Sequence, residues 1–268
     1  MVASIDKIIC PVCSGRLTLS KQMLKCDRQH SFDVAREGYV NLLLSQHKQS
    51  KDPGDSKEMV RARIDFHQQG YYQPLATHLS QLIDTADLLD IGCGEGSYAA
   101  WLMQTNPTLE YYGVDISKHG IRHAARQNPG ATFVIASSWH FPFGDHCFSR
   151  ALTIFAPVDQ SELSRVLATE GRWINVTPGK NHLIELRSAL YDEVTPIDKQ
   201  ASFDAWTVTG EQSLSSTIHL DQTSLAHLIN MTPYAWQAKR SRVAELRDRQ
   251  EMNLTYDFRI TTRLPTPG

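Results

Sequence analysis

Between residues 86 and 190 short apolar runs alternate with stretches whose apolar positions recur every three or four residues. Asp87 to Ile91 reads as a buried strand running into glycines, and Ser97 to Gln104 as a helix ending near Asn106 and Pro107. Tyr111 to Ile116 follows as a strand, and Lys118 to Gln127 as a helix closed by Asn128, Pro129 and Gly130. Ala131 to Ala136, Arg150 to Ala156 and Trp173 to Val176 read as further strands, with Glu162 to Leu167 and His182 to Tyr191 as helices. Strand and helix alternating at this spacing predict right-handed crossovers and an α/β fold with a doubly wound, mostly parallel sheet. Upstream, Met59, Val60, Ile64 and Phe66 share a helical face that Gly70 can end. Downstream, Trp206 to Val208, Ser216 to Leu220 and Thr255 to Thr262 have strand character around a helix from about Thr223 to Ile229. These predict strands completing the sheet's edge, with an insertion near the active site. The pattern divides the chain into a short module over 1–35, a linker and helical segment over 36–85, and a main domain over 86–268.

Composition narrows the class. With 41% hydrophobic and 21% charged residues the chain is an ordinary globular one, and no apolar run is long enough for a membrane span. The start lacks a basic segment followed by an apolar stretch, so no signal peptide is expected and the cytoplasm is the expected compartment. Net charge is −2, but residues 1–63 hold 11 Lys and Arg against 7 Asp and Glu, and the rest 16 against 22. A modestly basic front end on an acidic body permits local contact with phosphates without requiring it.

Three of the five cysteines fall in the first 26 residues. Cys10 and Cys13 form a CxxC, and Cys26 and His30 follow after a short hairpin-length segment. Two close pairs joined in this way suit a tetrahedral ion, and three thiolates with an imidazole make a closed site for one structural Zn²⁺. Asp27 or Asp33 could replace His30, and a redox CxxC is the competing reading; the thioredoxin-like βαβ context of such a motif is missing here.

The segment Leu89 to Gly96, LDIGCGEG, is an apolar strand that turns through Gly92, Gly94 and Gly96 into a helix. A dinucleotide fingerprint would carry its third glycine at position 97, where this chain has Ser97. Charge also separates the two readings. Asp90 and Glu95 would repel a pyrophosphate but accept the sulfonium and ammonium of S-adenosylmethionine, and Asp115 at the next strand end suits two ribose hydroxyls. Ser137 and Ser138 fall where an adenine edge would lie, with Phe141 and Phe143 beside them as core or ring contacts. Phe155, Ala156 and Pro157 should border the accepting atom.

Beyond this chemistry, CPVC with CDRQH, EGYVNLL (Glu37 to Leu43), DPGDS (Asp52 to Ser56), YYQPL (Tyr71 to Leu75), LDIGCGEG, TPGKNHLIEL (Thr177 to Leu186) and MTPYAW (Met231 to Trp236) together resemble bacterial 23S ribosomal RNA guanine-N1 methyltransferases. The similarity spans nearly the whole chain and leans to the Gram-negative branch of that family. It implies a class I S-adenosylmethionine-dependent methyltransferase of Rossmann-like fold behind a zinc ribbon on Cys10, Cys13, Cys26 and His30 that helps hold RNA. It implies a cytoplasmic homodimer that methylates N1 of one guanine in a 23S rRNA hairpin loop. It extends the cofactor contacts to Tyr72, Gly96, Ser97 and His182. The usual Pro-Gly-Gly turn before the fifth strand is here Thr169, Glu170 and Gly171.

Guanine N1 lies on the Watson–Crick edge, so the target must be unpaired or flipped, with stacking offsetting part of the cost. Tyr39, Phe155 and Trp236 are the stacking candidates, and Lys48, Lys51, Arg61 and Arg63 the phosphate contacts. Asp52, Asp55 and His182 are options for the group that takes the N1 proton, and no general base is assigned among them. Two other readings compete: a small-molecule methyltransferase, which the central domain alone would fit, and a non-catalytic RNA-binding protein that keeps the cofactor as a structural ligand.

Overall fold

The computed structural model describes residues 2–48, 50, 53–194, 197 and 203–266. Three short strands come first: β1 (Leu17–Ser20), β2 (Met23–Cys26) and β3 (Ser31–Asp33), paired antiparallel in that order. β4 (Tyr39–Asn41) leaves this ribbon and pairs parallel to the main sheet, so the expected linker segment contributes its own edge strand.

Helix α1 (Lys57–Gln68) starts at Ser56, whose hydroxyl accepts from Met59 N–H, and stops at Gly70 in the left-handed region. Helix α2 (Gln73–Leu82) follows at once, with a proline in its first turn. The alternation then runs β5 (Asp87–Ile91), α3 (Ser97–Thr105), β6 (Glu110–Asp115), α4 (Lys118–Gln127), β7 (Thr132–Ile135), β8 (Phe148–Ile154), α5 (Gln160–Val166), β9 (Leu167–Pro178) and α6 (Ile184–Leu190). The last stretch holds β10 (Trp206–Asp221), α7 (Gln222–Met231), α8 (Tyr234–Gln237), α9 (Arg240–Arg247) and β11 (Glu251–Pro265).

The large sheet has the order β10-β11-β9-β8-β5-β6-β7-β4. Its central pairs are parallel, while β11 on β9 and β10 on β11 are antiparallel. The order reverses direction beside β5, and that switch point opens a crevice at the strands' C-terminal ends, where open α/β sheets hold ligands. Strands β5 and β7 are buried almost throughout because helices cover both faces of the sheet.

Two differences from the sequence pattern have physical causes. The tail segments read as separate strands form a long hairpin ladder from Trp206↔Pro265 to Asp221↔Glu251; β10 has one mostly exposed face, so its apolar signal is thin. The Thr169–Gly171 segment read as a turn before a strand lies inside β9, where Phe148 pairs with Leu167 and Arg150 already with Arg172, a bulge that absorbs the extra residues. Helices α2 and α9 had no place in the sequence pattern.

Candidate active site and metal centre

The ribbon brings Cys10, Cys13, Cys26 and His30 together, with all four ligand atoms within 4.8 Å of one another. Cys13 Sγ lies 3.7 Å from Cys26 Sγ, and His30 Nδ1 lies 3.3 Å from Cys26 Sγ and 3.6 Å from Cys10 Sγ. A tetrahedral ion with Zn–S bonds of about 2.3 Å sets sulfurs about 3.8 Å apart, so the cluster has the spacing of a closed zinc site. Burial raises the Cys26 thiol, but hydrogen bonds from the His30 backbone, Cys13 and the His30 ring bring it down to about 7. Thiolate is thus accessible at neutral pH, which metal binding requires.

The ribbon is docked on the main domain. Ile9 N–H donates to Pro142 C=O at 2.9 Å, Gly144 N–H to Lys7 C=O at 2.9 Å, and Lys7 Nζ reaches Asp87 Oδ2 at 2.8 Å. The zinc module therefore abuts the loop after β7.

A cleft of about 630 Å³ opens at the ends of β5, β6, β7 and β8. Its size falls in the usual range of roughly 300–1,000 Å³ for small-ligand sites. Asp90, Gly92, Gly94 and Glu95 line it from the first turn, Asp115 from the end of β6, and Ser137 and Ser138 from the loop after β7. Tyr72 and His182 complete the set, together with Phe155, Ala156 and Pro157. Gly92 sits at φ +75°, and a Cβ there would overlap that of Ala156, so glycine is what lets the ends of β5 and β8 approach.

Gly96 and Ser97 do not line the cleft. Gly96, at φ +83°, faces Ala124 of α4, where a Cβ would come within 2.7 Å, and Ser97 opens α3. They shape the turn from behind.

The carboxylates of the cleft fall into two groups. Glu95 is buried, which raises its pKa, but His67 at 2.7 Å and Arg63 at 3.9 Å outweigh burial and hold it at about 2. Arg63 also donates to Asp55 at 2.5 Å. Asp90 has no such cation. Burial pushes it up to about 7 despite the hydrogen bond from Tyr111 Oη, and the charges of Asp115 and Glu95 add to the rise. Asp115 is raised by burial too, against N–H groups of Ser117 at 2.7 Å and Gly94 at 2.9 Å that favour its charge. Tyr98, another lining residue, has a buried hydroxyl with no hydrogen-bond partner among the described residues.

One buried carboxylate with no cation beside it among the described residues, a second raised by burial despite the Arg63 charge, and an orphaned hydroxyl fit a ligand that brings a cation and hydroxyls of its own. S-adenosylmethionine, the cofactor of such methyltransferase domains, has both kinds of group.

His182 is buried, and desolvation drops its pKa to about 4. Its Nδ1 accepts from Asp257 N–H at 3.2 Å, so the neutral ring carries its proton on Nε2. The ring lies against Phe155 and Phe258, with centroids 5.3 and 5.2 Å apart. Phe155 itself is 45% exposed and holds φ +55°, a strained setting for an aromatic residue that places its ring at the cleft.

Among the remaining candidates, Phe141, Phe143 and Tyr39 are core residues, whereas Trp236 is 67% exposed beside the cleft-lining run Met231–Tyr234. Lys48 is exposed, and Arg61 is exposed with Asp65 at 2.9 Å. Arg63, proposed from sequence for phosphate, has its charge committed to Asp55 and Glu95 in the cleft wall. Lys51 and Asp52 lie outside the described residues. Sequence reasoning missed His67, Tyr98 and Met231–Tyr234. His67 ends the α1 face that includes Ile64, and nothing in the local sequence marks it as the residue that meets the glycine loop. For Met231–Tyr234 no chemistry in the residues marked them.

Comparison with known proteins agrees with this geometry. Residues 8–51 match a zinc-ribbon family described as the N-terminal part of RlmA, and residues 88–175 a methyltransferase domain family. The chain is 33% identical over 96% of both chains to a 23S rRNA (guanine(748)-N(1))-methyltransferase of Streptomyces fradiae. It is 30% identical over 94% of both chains to a Bacillus subtilis relative named for 23S rRNA guanine-N1 methyl transfer. Among solved structures, a chain from the complex of the Haloferax volcanii Trm112 methyltransferase activator with a methyltransferase superposes with TM-score 0.50 at 15% identity, over 80% of this chain and all of that one. That likeness establishes the fold alone. Full-length similarity above the level of chance folds, a ribbon with four metal-ligand atoms in register and a cleft of matching chemistry lead to one assignment: the chain belongs to the family of 23S rRNA (guanine-N1)-methyltransferases.

Proposed function

We propose that the protein transfers the methyl group of S-adenosylmethionine to N1 of one guanine in a 23S rRNA hairpin loop. The observation that carries this reading is the full-length relationship to enzymes named for that reaction, in a chain whose cleft and ribbon have the matching chemistry. The cofactor supplies an electrophilic methyl on a sulfonium, and the protein's work is orientation. Asp90 and Asp115 hold the cationic and ribose parts, Ser137 and Ser138 the adenine edge, and Tyr72 and His182 close the methyl end. With its proton on Nε2, His182 donates there and does not take the N1 proton. Phe155, half-exposed at the same end, is placed to stack on a flipped guanine. Cys10, Cys13, Cys26 and His30 would hold one Zn²⁺ with four protein ligands, a structural role that would fix the ribbon, which hydrogen-bonds to the loop after β7.

Several finer points belong to the same proposal: a cytoplasmic homodimer, the Gram-negative branch, and functional segments at 1–35, 36–85 and 86–268. The long, exposed edge strand β10 supports a subunit contact, since open edges tend to be covered. Among the described residues no helix is long and apolar enough to cross a membrane. Deleting the gene and digesting the 23S rRNA to nucleosides tests the proposal: 1-methylguanosine is lost at one hairpin position and restored by the wild-type gene. An unchanged methylation map would refute it, and the position lost identifies the branch.

A further inference from the structure

The cleft-lining run Met231–Tyr234 continues directly into α8 and α9, and this short stretch has an unusual charge for the chain. From Ala235 to Gln250 it holds Lys239, Arg240, Arg242, Arg247 and Arg249 against Glu245 and Asp248, in a protein of net charge −2. Its apolar side is accounted for: Leu246 is buried, and Ala238 and Val243 lie against the core. Lys239 and Arg242 both reach Asp192. Arg240, Arg247 and Arg249 are exposed and have no carboxylate partner among the described residues; Arg247 reaches only the Asn230 amide, at 2.6 Å. Arg240 and Arg247 are seven positions apart, so they share one side of α9. Trp236, which falls between the cleft-lining residues and these cations along the chain, is exposed and without a ring neighbour among the described residues.

Three exposed arginines without a carboxylate partner among the described residues, and an exposed indole, in the segment that follows the cleft lining have the makeup of a single-strand track, with cations for the backbone and a ring for a base to stack on. Chain length limits the distance. From Tyr234 to Arg240 the chain reaches at most about 22 Å fully extended, which places the first cation within a few nucleotides of the reacting base. We infer that the α8–α9 surface, through Trp236, Arg240, Arg247 and Arg249, docks the RNA strand that flanks the target guanine. The inference rests on the proposed rRNA reaction and adds to it a surface outside the zinc ribbon and outside the basic front end of the chain. It also gives Arg63's expected phosphate role to arginines with no carboxylate partner among the described residues.

The test uses the full-length zinc-loaded protein and 23S rRNA from cells lacking it. Removing three phosphate contacts to a single strand should make the slope of log K against log[salt] shallower by about 2. The R240Q/R247Q/R249Q variant should show that change, with weaker RNA binding at low salt but unchanged Kd for S-adenosylmethionine. W236A should weaken RNA binding about 5- to 150-fold with the salt slope intact. The triple Lys variant should keep the wild-type slope, which excludes a folding defect as the cause. If the triple Gln variant keeps wild-type RNA affinity and slope while the wild type methylates, the surface is wrong and the function stands. If the wild type neither binds nor methylates the RNA, both readings fall together.

Discussion

Asp90→Asn tests the electrostatic account of the cofactor site. Asp90 is 2% exposed and has Tyr111 Oη as its donor but no protein cation, which places its pKa at about 7. A carboxyl moved from 3.8 to about 7 on folding costs about 4 kcal/mol once ionised. Because the folded value is the higher one, this group's contribution to stability is fully present below pH 3.8 and is lost as pH rises through about 7. The empty protein therefore carries that cost at pH 8, and a ligand cation relieves it. Binding that needs the carboxylate should tighten about fivefold from pH 6 to pH 7, following the ionised fraction of a group titrating near 7, before the ligand's own amine begins to lose its charge. In D90N the amide still accepts from Tyr111 but carries no charge. Losing one charge-assisted hydrogen bond of about 1.5–3 kcal/mol should weaken S-adenosylmethionine about 10- to 150-fold at pH 8 and remove the pH dependence. The ligand-free variant should melt higher than the wild type at pH 8. Calorimetric titration with S-adenosylmethionine at pH 6, 7 and 8, with thermal melts of both proteins, measures all three effects. A pH-independent wild-type affinity, or a D90N slope equal to it, would refute the reasoning.

Other perturbations have equally definite outcomes. Cys26→Ser should reduce bound zinc below one per chain by atomic absorption and lower the melting temperature; full zinc occupancy in the variant would contradict the ligand set. Gly92→Ala meets both φ +75° and Ala156, so it should cost about 1–3 kcal/mol and weaken the cofactor, with Ala156→Gly restoring part of the loss, read by melts and titration. Arg63→Leu leaves Asp55 and Glu95 without their cation and should weaken S-adenosylmethionine; it should leave the salt slope of RNA binding unchanged, because its charge is committed inside the cleft wall. His182 should give no inflection in a pH–rate profile between pH 5.5 and 8, since burial keeps it neutral with a pKa of about 4; an inflection abolished by His182→Gln would overturn that assignment.

The legible parts of the fold were those whose physics is local. Period and punctuation exposed the β5-to-α6 alternation, because buried strands and amphipathic helices differ in how their apolar residues recur. The metal site was legible because tetrahedral geometry constrains spacing, and the four ligand atoms meet within 4.8 Å. The acidic turn was legible in residue type but not in role: Asp90 and Glu95 read alike, yet His67 and Arg63 arrive from α1, contacts across 28 and 32 positions that no local pattern encodes. Edge strand β10 was half-read because one of its faces meets solvent, and α9 was missed because its apolar positions are few. Arg63 shows the same limit from the other side, since a cation in a basic segment says nothing about which carboxylates fold against it.

The most direct test of the central claim is methyl transfer from tritiated S-adenosylmethionine to 23S rRNA purified from cells lacking the protein, followed by digestion and nucleoside identification. The account predicts label in 1-methylguanosine at a single hairpin position. Tight cofactor binding with no label on naked rRNA or on pre-ribosomal particles would contradict it.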